Sequence, residues 1–74
     1  MGIVYASTEV QNAAYKQGFH LGQRLQLQGL TLNASLQHGG PIADTYLWPA
    51  RGCFMNGVEL GWFDAHGPFA PSHR

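Results

Sequence analysis

The chain is poor in charge. Four Lys and Arg balance four Asp and Glu in 74 residues, 11% charged with no net charge, against about 25% for an ordinary domain. Such a surface repels itself little and attracts phosphate little. Either part of it is covered by another chain or the protein is kept at low abundance. Cysteine is nearly absent too. Cys53 is the single one, so no disulfide forms within the chain and a four-cysteine zinc site is excluded. A lone thiol fits a reducing compartment or partial burial. No apolar run is long enough for a membrane span, and the first residues lack the basic and apolar regions of a cleavable signal. The expected setting is the cytoplasm, without a membrane partner. At 74 residues one domain, 1–74, is the upper bound, and so thin a core usually needs a staple or a partner.

Motifs for chemistry are equally sparse. His20, His38, His66 and His73 show no paired ligand spacing. A Cys53–His pair has no acid placed to support it. Glu59 and Asp64 stand five apart and do not share a helix face. The "HGGP" at His38 opens no phosphate-binding helix. No metal, no cofactor and no enzymatic activity are expected.

What is present is glycine, ten residues of it, arranged twice in the same way. Tyr15-Lys16-Gln17-Gly18 and Leu21-Gly22 recur 39 residues later as Phe54-Met55-Asn56-Gly57 and Leu60-Gly61. Both segments read as helices. Thr8 and Gln11 have capping-box spacing, Glu9 suits a helix start, and Val10, Ala14, Leu21 and Leu25 recur at helical intervals. The pattern predicts a helix over about 9–26. Around Gln28-Gly29 the sequence allows a helix stop or a small hairpin, the stop being favoured. Residues 37–47, with Gly39-Gly40-Pro41, read as a loop. Pro49 at a first helical position, or a slightly earlier cap at Asp44 or Thr45, opens a second helix over about 49–66, which Gly67-Pro68 stops. The tail 67–74 reads as extended or loose.

Each glycine costs a helix interior roughly 1 kcal/mol, so four of them need a reason. Residues four apart share a helix face. Gly18/Gly22 and Gly57/Gly61 are grooves that let two backbones approach, with Tyr15, Phe19, Phe54 and Trp62 closing over the seam. The expected fold is therefore mainly α: two antiparallel helices crossing at the glycine pairs, a longer irregular connection and a loose C-terminal tail.

Ala14-x-x-x-Gly18-Phe19-x-x-Gly22 resembles the first helix of the ribosome modulation factor family, small bacterial proteins with phage-borne relatives. Tyr46-Leu47-Trp48-Pro49 resembles that family's proline-bearing connection. Arg51-Gly52-Cys53-Phe54 with Gly57, or Gly61-Trp62, resembles its second helix. The resemblance covers roughly residues 9–66 and implies a helix hairpin that binds ribosomal RNA. Its best-known members are strongly basic, and this chain is not.

If RNA contact is kept, Lys16, Arg24 and Arg51 are the phosphate contacts and Tyr46 and Trp48 the stacking surfaces. Nine aromatic residues exceed what two helices can hide and suit a protein interface instead, with Trp48 and Trp62 as leading anchors. The expected function is a non-enzymatic binder resembling ribosome modulation factor that regulates the ribosome or its RNA. The alternative is a protein–protein inhibitor or adaptor, phage-encoded, acting on a host protein. A homo-oligomer is the third possibility.

Overall fold

The computed structural model describes residues 6–65; the tail 67–74 and most of the N-terminal lead lie outside them. Three helices follow one another: α1 (Thr8–Leu27), α2 (Leu32–Ala43) and α3 (Ala50–Asp64). No strand occurs among the described residues.

The first helix begins one residue earlier than its sequence signal. Ser7, not Thr8, is the N-cap, its hydroxyl accepting the Val10 N–H at 3.2 Å. Gln11 does not complete a capping box; its amide donates to the Ala6 carbonyl at 3.0 Å. The stop at Gly29 is real. Gly29 has φ +93°, a conformation that costs other residues strain. Leu30 N–H reaches the Leu25 carbonyl and Gly29 N–H the Gln26 carbonyl, the paired bonds that close a helix through a left-handed residue.

The second helix is where the sequence reading fails. Most of the expected loop 37–47 is helical. Thr31 caps its start through Ala34 N–H, 3.1 Å from the Thr31 hydroxyl. Gly39, Gly40 and Pro41 all lie within it. Its buried residues are Ser35, Gly39 and Ala43, a stripe of small side chains four apart. An ideal Cβ on Gly39 would meet Val58 at 3.4 Å and Phe54 at 3.5 Å. The helix is thus held by packing against α3 where intrinsic propensity is poor. For α3, Pro49 is the N-cap rather than the first helical residue, and the helix closes at Asp64. Asp44 ends α2 instead of opening α3.

The extra helix changes the direction of the pair. One connection would make an antiparallel hairpin; a helical connection reverses the chain twice, and α1 and α3 run parallel. Contacts climb both helices together. Ala6 N–H bonds the Trp48 carbonyl at 3.0 Å, Gly18 faces Phe54 and Val58, Gly22 faces Val58 and Trp62, and the Gln26 amide donates to the Trp62 and Ala65 carbonyls. The antiparallel two-helix hairpin is therefore replaced by a three-helix arrangement with a parallel α1/α3 pair. The core holds Ala14, Leu21, Leu25, Ala43, Ala50, Phe54 and Val58.

Candidate functional site

The four glycines explain which surfaces are left for binding. A methyl group on Gly18 would land on the Phe54 carbonyl, and one on Gly57 on the Tyr15 carbonyl. Gly22 is set the same way against Val58, and Gly61 against Phe19. Every target lies three residues before the partner glycine, so the contacts are reciprocal. Added Cβ atoms would also come within 2.8 Å of Trp62 N and 2.9 Å of Phe19 N. A hydrogen stands where each Cβ would, which makes these contacts of the Cα–H···O type seen between close helices. The 39-residue offset of the sequence is thus a local two-fold relation between α1 and α3.

That relation sorts side chains onto two faces. A residue on α1 and its equivalent 39 positions later lie on opposite sides of the pair. The α2 side carries Phe54 and Val58, both almost fully buried, with Leu21 and Leu25. Their counterparts on the other side are Tyr15, Phe19, Leu60 and Asp64. Tyr15 and Phe19 are half-buried with ring centroids 6.0 Å apart. Leu60 is 42% exposed and the neighbouring Phe63 49%. Gln23 donates to the Asp64 carboxylate at 3.1 Å between the two helices. This bare face was missed in the sequence because the pair was read as antiparallel; the repeat itself, read as a parallel two-fold, is the signal that finds it.

The expected binding residues are scattered. Trp48 stands 62% exposed beside Leu47, 53% exposed, at the start of α3; its ring lies over Gly52, where an added Cβ would be 3.5 Å away. Trp62, by contrast, is core: it is 9% exposed and its indole N–H donates to the Leu30 carbonyl at 2.9 Å. Tyr46 is half-buried and stacks on Phe54 at 5.5 Å. Lys16, Arg24 and Arg51 are exposed. Lys16 is the two-fold counterpart of Met55, which packs toward Gly39 of α2, so Lys16 lies on the face away from α2. Arg24 lines a cleft on the α2 side together with Tyr46. The structure brings Arg24 and Tyr46 together and leaves Lys16, Arg51 and Trp48 outside that cleft.

Among the described residues no three His, Cys, Asp or Glu side chains gather in a metal-like group. No described helix is long and apolar enough to cross a membrane. No family model, curated protein or solved structure matches the chain.

Proposed function

We propose that the chain is a small non-enzymatic binding protein that regulates a macromolecular target by direct contact, and that the target is a protein gripped by aromatic surface. The observation behind this reading is what the fold leaves exposed. Lys16, Arg24 and Arg51 are exposed but few, spread over two helices. Trp48 and Phe63 are the large aromatic side chains left most exposed, among seven large apolar ones that include Leu27, Leu47 and Leu60. Non-specific nucleic-acid affinity grows with the number of phosphates neutralised, and three separated cations supply little of it. Aromatic anchors are the usual carriers of protein–protein binding energy.

The test is capture from a bacterial lysate, the host to which the ribosome-modulation resemblance points, with and without nuclease and at two salt concentrations. The captured target is then titrated with variants. The protein-target reading expects capture that survives nuclease and raised salt. It expects Trp48→Ala to weaken binding by at least tenfold, about 1.4 kcal/mol, with the helical circular-dichroism signal kept. Nuclease-sensitive capture, lost in Lys16→Ala with Arg51→Ala and kept in Trp48→Ala, would put a ribosomal RNA target in its place.

A further inference from the structure

On the face that α2 covers, a cleft of about 110 Å³ opens between α1 and the turn after α2. Leu21, Ile42 and Phe54 supply its apolar walls, and Gln17, Arg24 and Tyr46 its polar ones. None of these three polar side chains has a hydrogen-bond or ion-pair partner among the described residues. An arginine, a glutamine and a tyrosine thus line one small opening, none of them bonded to another described residue. The walls place apolar surface next to positive charge.

We infer that this cleft binds a carboxylate carried on a short apolar stem. Arg24 is its charge partner, presenting a planar fork that matches two carboxylate oxygens. Gln17 and Tyr46 are flanking donors, and Leu21, Ile42 and Phe54 take the stem. The cleft is shallow and small, about 110 Å³, and suits a stem of only a few carbons. The carrier is either a free short-chain acid or the acidic side chain of a peptide. The site is separate from the exposed Trp48 surface and stands or falls independently of it.

The probe is isobutyrate, titrated into the full chain while two-dimensional NMR follows the Arg24 guanidinium, the Gln17 side-chain amide and the Tyr46 backbone. The expected result is saturable shifts with a Kd on the order of 1–10 mM, within the efficiency range of a ligand of about six heavy atoms. Isobutyramide, equal in shape but uncharged, should give none, and inorganic phosphate none that saturates. Arg24→Gln should weaken isobutyrate at least about tenfold, and Tyr46→Phe about threefold, the loss of one hydrogen bond. A doubly blocked glutamate peptide that binds as isobutyrate does makes the carrier an acidic side chain; binding of the free acid alone makes it a small acid. Absence of saturable shifts overturns the site. So do equal shifts with isobutyramide, equal affinity for phosphate, or unchanged affinity in folded Arg24→Gln.

Discussion

At the scale of single residues the glycines divide into kinds that one composition count hides. Gly18, Gly22, Gly57 and Gly61 have partner backbone where a Cβ would go. Backbone cannot swing aside as a side-chain tip can. Gly22→Ala should therefore destabilise by about 2 kcal/mol or more through overpacking, although alanine is the better helix former. For a domain of this size that lowers the melting temperature by about 10 °C. Gly52, also helical and exposed, has only the Trp48 ring near its missing Cβ, at an ordinary contact distance of 3.5 Å. Gly52→Ala should raise stability by about 0.5–1 kcal/mol. Thermal melts of the two variants read opposite signs, and a higher melting temperature for Gly22→Ala would show that the helices are not in backbone contact. The glycine pairs were legible from the sequence because spacing alone puts Gly18 with Gly22 and Gly57 with Gly61. The direction of the seam was not, since the same spacing serves parallel and antiparallel pairs.

Two fully buried polar residues were also out of reach of periodicity. Gln26 is fully buried, and its amide bonds carbonyls at the end of α3. Ser35 is fully buried with a hydroxyl that has no partner. Burying an unbonded hydroxyl is unfavourable, by roughly 1–3 kcal/mol. Ser35→Ala should thus be neutral or stabilising in chemical denaturation. A loss above about 1 kcal/mol would mean that the hydroxyl is satisfied after all.

Among the elements, α2 shows where local signals give out. Leu32, Ala34 and Leu36 suit a helix, but Gly39-Gly40-Pro41 argues against one in its second half. Two signals stood against that: Thr31 as a cap, and Ser35, Gly39 and Ala43 four apart. Their meaning depends on Phe54 and Val58, which lie far along the chain and supply the bulk that the small stripe receives. A helix so dependent on packing and a single cap should respond to the loss of either. Thr31→Ala is expected to cost about 1 kcal/mol, and hydrogen exchange should show the first turn of α2 opening before α1 does. Equal protection of α2 and α1 in the variant would contradict that dependence. The α1 helix is legible because its apolar stripe and terminal glycine agree with one another, although its cap is Ser7 and not Thr8.

For the molecule as a whole, the parallel pair decides what is buried and what is offered. It places Phe54 and Val58 under α2 and turns Leu60 and Phe63 outward. It sets Trp48 beside the start of α1 through the Ala6–Trp48 backbone bond. The candidate surface is legible in the sequence only in part: Trp48 stands out as an aromatic anchor ahead of a helix, whereas the bare face follows from chain direction. The most direct measurement is the distance between spin labels, placed in a Cys53→Ser background at Asn12 with Asn56 and at Asn12 with Phe63. All three label positions are exposed. In the parallel register the three share the face away from α2, and position 63 lies seven residues beyond position 56, about 10 Å further along by the helical rise. The expected result is a shorter distance for the first pair and a clearly longer one for the second. The reverse order, 12–63 short and 12–56 long, would establish an antiparallel pair and remove the basis for the faces described here.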